Sequence, residues 1–518
     1  MKHSAGGRRG TMLSLSFLVA LLVGAAPVVA QEQRSLRQQV QAWIASNQQA
    51  IAKELVELLS VPNVAADREN IRRNVVLLSG MLKRRGLETQ VLETPGNPLV
   101  WGELKVPGAT RTLLLYAHYD GQPVDPEGWK QASPFVPIMR SGRLEDGARR
   151  IDPFLTLEKF EDDWRLYGRS ASDDKSPIVA LLAALDALRA SGRQPTSNLR
   201  VILDGEEEAG SPSLVGAIAA HRDKLDADLM LILDGPVHPT GRPTLVFGAR
   251  GNITVELTVY GPKFALHSGH YGNWVPNPAM RLAQLLASMK DQDGRVLIDG
   301  FYDGIEPPNA AEQAMLDAVP DDAAALQKLF GIAGPERPGL TLQDAVQVPS
   351  LNVRGMSSGF VGANARTIIP ATATADIDIR LVVETPAAAM LSKVRAHLEK
   401  QGYHVVSAEP DDEARAKYSR IVKMTSPEEG TNAYRTPPSG PEAQQLAAAL
   451  ARALGEDPVR VRTSGATVPI APFIDRMGFP AISVPIVNFD NNQHGENENL
   501  RLGHFFRGIV TIAAALTM

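Results

Sequence analysis

The stretch "LYGRSASDDKSP" at residues 166–177 sets Asp173, Asp174 and Lys175 side by side ahead of an apolar run. Carboxylates and imidazoles recur after other short aliphatic segments. His118 and Asp120 follow "TLLLYA", Glu206, Glu207 and Glu208 follow "LRVIL", Asp234 follows "LMLIL", and His494 lies beyond "AISVPIV". Gathered at one rim, so many carboxylates would repel one another unless something cationic sat among them. Two imidazoles with several carboxylates make a suitable shell for divalent metal. The chemistry implied is metal-assisted hydrolysis. Two ions about 3.5–4 Å apart, sharing one bridging carboxylate, would hold a water and lower its pKa enough to make it a nucleophile near neutral pH. One of the two adjacent aspartates would be that bridge.

The elements that must position these residues are legible in the hydrophobic pattern. The aliphatic segments read as buried strands, and "SPIVALLAALDALRASG" between the first two reads as an amphipathic helix ended by Gly192. Strand, helix, strand suggests a parallel sheet with crossovers, and such sheets place their sites beyond the carboxyl ends of the strands. Helical spacing from Val40 to Leu59 and from Asn74 to Lys83 adds two opening helices. The pattern changes near Gly251, where "NITVELTVYG" alternates. "PNPAMRLAQLLASM" is a predicted helix capped by Asn277. "TATADIDIRLVV" puts Ala373, Ala375, Ile377 and Ile379 on one face and Thr374, Asp376, Asp378 and Arg380 on the other. The fold expected is α/β, a mostly parallel sheet flanked by helices, with an inserted antiparallel α+β lid or dimerisation domain. Its catalytic part spans 31–250 and 425–518, and the insertion 251–424. The charged stretch from Arg140 to Asp163 reads as a surface insertion without an assigned role.

The chain has 518 residues, 44% hydrophobic and 21% charged, with a formal net charge of -5. Scattered Lys and Arg give no broad basic footprint for nucleic acid, so small-molecule chemistry is the default. Residues 1–30 resemble a secretory signal: Lys2, Arg8 and Arg9 precede an apolar run, and small residues precede a cleavage point after Ala30. The run is short of the roughly 20 residues that span a bilayer. The expectation is a periplasmic or secreted protein, free of the membrane after cleavage. The absence of cysteine excludes a disulfide framework and a cysteine nucleophile.

"HYDGQP", "GRSASDDKSP", "GEEEAGS", "LDGP", "LHSG" and "HGENE" resemble, in order, the signatures of the co-catalytic zinc peptidases. That family includes carnosinase-type dipeptidases, glutamate carboxypeptidases, aminoacylase and succinyl-diaminopimelate desuccinylase. The resemblance implies that Asp173 bridges two divalent ions, with His118 and Asp234 completing one site and Glu208 and His494 the other. Zinc is the first expectation, and manganese or cobalt suit the same ligands. It also implies that Glu207 is the general base, since the family register Glu-Glu-x-Gly-Ser falls on Glu207 and Glu208 and leaves Glu206 outside. Asp120 would orient His118, the Asp173–Asp174 peptide would be cis, and Asp174 and Lys175 would be supports. Ser170 and Ser176 stand where the family commonly has glycine. Arg380 and the turn "RTSGATVPIA", with Gly465 and Thr467, would bind the substrate carboxylate. His267 of "LHSG" would act in the active site of a partner subunit in a homodimer. His221, His397, His404 and His504 read as ordinary surface or core histidines, and His270 is left unassigned.

The leading expectation is a dipeptidase cleaving small peptides with a free carboxylate by a metal-bridging hydroxide. An N-acyl amino acid amidohydrolase or a glutamate-type carboxypeptidase would share every ligand and differ in the pocket. An exported solute-binding protein would need neither Glu207 nor five ligands, and an inactive homologue would have lost one.

Overall fold

The computed structural model describes residues 35–426 and 430–518, so residues 1–30, read above as a secretory signal, lie outside the described residues. The main sheet has eight strands, in the order Glu88–Leu92, Leu99–Leu104, Asn198–Asp204, Thr112–His118, Leu229–Ile232, Ala481–Ser483, Thr244–Val246 and Val459–Val461. Its four central strands, from Asn198–Asp204 to Ala481–Ser483, pair in parallel. Alternation along Thr112–His118 feeds two cores. Leu113, Leu115 and Ala117 face the helices Leu36–Leu59, Lys175–Ala190 and Leu502–Leu516. Leu114 and Tyr116 join Leu214, Ile218 and Phe473 on the opposite face.

Several expectations change here. Lys175–Ala190 is not amphipathic but buried almost all round, because it lies between the sheet and the helices Leu36–Leu59 and Leu502–Leu516. The helix predicted from Asn74 starts earlier, at Arg68, where the Asp67 carboxylate accepts from Asn70 N. The hairpin Glu88–Leu92 with Leu99–Leu104, unanticipated, adds two antiparallel strands at one edge. Ala481–Ser483 stops short of Val487, since Pro485 has no N–H to continue a ladder.

The second sheet runs Ser350–Ser357, Thr372–Leu381, Gly251–Tyr260, Ile421–Thr425, His404–Val406. Val255, Leu257, Ile377 and Ile379 pack there with Leu282 and Leu285 of Pro278–Met289 and with Met390 and Val394 of Ala387–Lys400. The pairings are antiparallel except at the edge, where His404–Val406 runs parallel to Ile421–Thr425. A parallel pair needs a crossover, and the segment with helix Asp412–Lys417 supplies it. Three short helices, Ala310–Asp317, Ala323–Phe330 and Leu342–Ala345, come in chain order between helix Pro278–Met289 and the edge strand Ser350–Ser357.

The 140–163 stretch is more than a surface insertion. Ile138–Arg140, Arg150–Ile151 and Arg165–Tyr167 form a four-stranded sheet with Asn499–Arg501. Phe154 and Phe160 anchor this excursion in the main core, which the charge-rich sequence hides.

Candidate metal centre

Three neighbouring parallel strands deliver the polar residues to one rim. His118 ends Thr112–His118 opposite Asp204, the glutamates follow Asn198–Asp204, and Asp234 follows Leu229–Ile232. Asp173 precedes helix Lys175–Ala190, and His494 arrives on the loop before Asn499–Arg501. The rim thus contains two donor groups that share one residue. His118, Asp173 and Asp234 form one, Asp173, Glu208 and His494 the other, and within each group the ligand atoms lie within 4.8 Å of one another.

His118 Nε2 is 2.9 Å from Asp173 Oδ1, and His494 Nε2 is 3.1 Å from Asp173 Oδ2 and 3.5 Å from Glu208 Oε2. Asp120 serves two elements at once. Its Oδ1 lies 3.3 Å from His118 Nδ1 and accepts from Glu207 N at 3.1 Å, and its Oδ2 accepts from Glu208 N at 3.1 Å. One buried carboxylate therefore fixes both the imidazole and the turn that carries the glutamates. Glu206 turns away, its Oε1 accepting from Asn97 N at 2.8 Å. The Asp173–Asp174 peptide is cis. Asp174 Oδ2 accepts from His118 N at 3.1 Å, and the buried Lys175 Nζ donates to Leu58 O and Val61 O, tying the loop to the end of helix Leu36–Leu59.

The electrostatics match a site built for cations. Burial, and then the negative charge of Asp173, push Glu208 up to about 7 and Asp234 up to about 6. Burial pushes Glu207 well above the usual carboxylate range, and Asp234, Asp173 and Glu208 add to this against the pull of His118. Burial opposes the charge on Asp173, yet His118 and His494 outweigh it and hold that carboxyl low. His118 is raised in turn: burial disfavours its charged form, but Asp120 and Asp173 prevail. The raised His118 and His494 show that the surrounding carboxylates favour positive charge among them. His, Asp and Glu donors in this density fit divalent ions, which would supply it permanently.

A cavity of about 230 Å³ opens on the cluster, with Asp173, Glu207, Asp234, His494 and Thr467 in its wall. A larger one of about 660 Å³ lies among residues 290–351 with mainly apolar walls, so the convergence of polar groups, and not volume, marks the site. Arg380 Nη1 donates to Thr467 Oγ1 at 2.8 Å, which brings together two predicted substrate-binding residues, one on a strand of the second sheet and one in a turn of the catalytic part. The Thr467 hydroxyl, accepting there, keeps its own hydrogen for another acceptor. Gly465 belongs to the same turn but is exposed and does not line the cavity. His267 is exposed on the two-residue strand Leu266–His267 and is not in the cavity wall; its Nδ1 accepts from Gly269 N at 3.1 Å and its ring stands 4.7 Å from that of His270. The histidines read as ordinary lie apart from the cluster: His397 bonds Ser288 Oγ, and His404 stacks on Tyr418.

Sequence reasoning missed Glu498. This fully buried carboxylate accepts from Ser172 N and Asp173 N at 2.8 and 3.0 Å on Oε1, and from Ser170 N and Arg169 Nη1, both at 2.9 Å, on Oε2. It holds the backbone that presents Asp173. The signal available was its place in "HGENE", a motif otherwise read only for His494.

Residues 114–518 match the peptidase family M20/M25/M40. The chain is 27% identical over 474 residues to the Cys-Gly metallodipeptidase of Schizosaccharomyces pombe, covering 88% of this chain and 92% of that one. It is 26% identical over 529 residues to the human Beta-Ala-His dipeptidase, covering 98% and 94%. The crystal structure of an M20 family metallo-carboxypeptidase from Sulfolobus solfataricus superposes with a TM-score of 0.71 at 27% identity, covering 90% of this chain and 98% of that one. With two donor groups at the carboxyl rim of its sheet and most of its length matching that family, the chain belongs to peptidase family M20/M25/M40 and is a hydrolase of the peptidase class.

Proposed function

We propose that the protein hydrolyses dipeptides and other small peptides with a free C-terminal carboxylate. His118, Asp173 and Asp234 would hold one divalent ion, and Asp173, Glu208 and His494 a second. The observation that carries this reading is the pair of donor groups meeting at Asp173, with Glu207 in the same cavity wall. Ions held by these residues would supply Lewis acidity, lowering the pKa of a nearby water and polarising the scissile carbonyl. Glu207, in the same cavity wall as the proposed ligands, takes the proton of the attacking water and passes it to the leaving amine. Asp120 keeps His118 and the glutamate turn in place. Arg380 and Thr467 receive the substrate carboxylate, for which a planar guanidinium beside a hydroxyl is suited. Zinc fits the mixed donor set, and manganese or cobalt would occupy the same ligands.

The protein is proposed to act outside the cytoplasm, from the basic and apolar pattern of residues 1–30. It is proposed to be a homodimer through the second sheet. Support comes from the exposed edge strand Ser350–Ser357, with Val353 and Met356 open to solvent, and from exposed Phe360, Val361, Phe264 and Trp274. His267 would then reach the partner's site and stabilise the developing oxyanion. A panel of dipeptides and N-acyl amino acids, assayed after chelation and with each metal restored, tests the function. Turnover of acyl amino acids with none of dipeptides would replace this reading with the amidohydrolase, and activity surviving chelation would overturn both.

A further inference from the structure

Two hydrogen bonds converge on one buried amide oxygen far along the chain from the metal ligands. Gln347 Oε1 accepts from Arg462 Nη1 at 2.7 Å and from Thr463 Oγ1 at 3.2 Å. Arg462 is held a second time, its Nε and Nη2 donating to Glu312 Oε1 of helix Ala310–Asp317 at 3.1 and 2.9 Å. Thr463 leads directly into the turn from Ser464 to Thr467. Arg250 grips that turn from the other side, its backbone N donating to Ser464 O and Ala466 O. The Arg250 side chain in turn donates to Val348 O, next to Gln347, at 3.1 Å.

The same amide is also linked to the loop that follows Asp234. Gln347 Nε2 donates to Gln343 O at 3.1 Å, Gln343 Nε2 donates to Asp321 Oδ2 at 2.8 Å, and Asp321 Oδ1 lies 3.1 Å from His238 Nε2. Because Thr240 N donates to His238 Nδ1, the imidazole carries its hydrogen on Nε2, where Asp321 accepts it. His238 belongs to the loop that follows Asp234. An unbroken set of polar contacts thus joins the Asp234 loop to the turn before Thr467, and Gln343, Gln347, Arg462 and Thr463 along it are buried. None of Asp321, Gln343, Gln347 or Arg462 lines the cavity beside the metal ligands.

We propose that Gln347 is a positioning residue: through Arg462 and Thr463 it fixes the Ser464–Thr467 turn against Arg380, and so sets the affinity for the substrate's carboxylate without touching substrate. This rests on the reading of Arg380 and Thr467 as the carboxylate site. Loosening the turn removes binding that is equal in the ground and transition states, so the loss falls on KM. Gln347→Leu, which leaves two buried donors without an acceptor, should raise KM for a free dipeptide by about tenfold with kcat within about twofold of wild type. The same dipeptide with its C-terminus amidated should be cleaved no worse by Gln347→Leu than by wild type. Gln347→Glu, which keeps the acceptor for Arg462 and Thr463 but gives up the donor to Gln343 O, should return KM part of the way to the wild-type value. Thr463→Val, a milder change, should raise KM in the same direction and serves if Gln347→Leu does not fold. A fall in kcat and metal content that accompanies the rise in KM in the folded variants would make the network merely structural and overturn the proposal. Thr467→Val separates the two readings. If it leaves KM unchanged, the carboxylate site itself is wrong; if it raises KM while Gln347→Leu and Thr463→Val do not, only the positioning role falls.

Discussion

Glu498→Gln is the sharpest probe of how the site is held. The carboxylate accepts from two donors on each oxygen, three of them backbone N–H groups and the fourth the guanidinium of Arg169, itself 3% exposed. A carboxamide keeps the shape but has one oxygen. Whichever way it turns, its NH2 faces two donors, either Ser172 N and Asp173 N or Ser170 N and Arg169 Nη1. Arg169 also loses its buried counter-charge. Removing one partner of a buried pair costs about 3–5 kcal/mol. That strain falls on the loop presenting Asp173, and loss of a group that orients metal ligands typically lowers metal affinity about 10–100-fold. Chelator competition should report that weakening, and denaturant titration the lost stability. Arg169→Met should be similarly destabilising, yet the double variant Arg169→Met/Glu498→Gln should be less so than the sum of the singles, because the unpaired charge is gone. A Glu498→Gln protein with wild-type metal affinity and denaturation midpoint would refute the reasoning.

Base and ligand separate by substitution. Glu207→Gln should keep both metals while kcat falls at least about 10²-fold, and Glu208→Gln should lose metal; swapped phenotypes, read by metal analysis beside kinetics, would shift the register of the glutamates by one. The raised pKa values of Glu208, about 7, and Asp234, about 6, fix a pH dependence. Raised carboxyl groups stabilise the metal-free fold at low pH and lose that contribution as pH rises through about 6 to 7, and raised His118 and His494 act in the same direction. These groups should outweigh His504, which burial holds down to about 4 and which acts in the opposite sense, so melting of the metal-free protein should fall from pH 5 to pH 8, about the window they span, and the stabilisation by added metal should grow; equal metal-induced shifts at both pH values would count against it. For His267, Glu207→Gln and His267→Ala should each be nearly inactive, while their heterodimer, with one of two sites intact, should recover up to about half of wild-type activity. A heterodimer as inactive as its parents would remove His267 from the partner's site.

What could be read from the sequence was what is local. His118, Glu208 and Asp234 follow aliphatic runs and Asp173 precedes a helix, so the run announces the rim on which the residue will stand, whereas His494 comes in on a loop and was legible only through its motif. Asp120 was legible through the alternation of an extended segment after His118. The contacts that hold the rim were not legible, because they close over long separations: Glu498 reaches Asp173 across 325 residues, and Arg380 reaches Thr467 across 87. Charge in the 140–163 stretch concealed Phe154 and Phe160, and with them the small sheet that carries Asn499–Arg501 beside Glu498. Ser170 shows how the distant contacts rewrite a local rule. Its φ of 60° lies in the left-handed region where glycine is expected. The conformation is held by partners remote in sequence: Ser170 N donates to Glu498 Oε2, and Ser170 Oγ accepts from Asn63 Nδ2 at 2.9 Å. Asn63 Nδ2 also donates to Tyr119 O at 2.8 Å, between His118 and Asp120. The side chain that glycine would lack thus joins the bridging-aspartate loop to the strand end that carries His118, and the departure from the family pattern becomes a tie within the site.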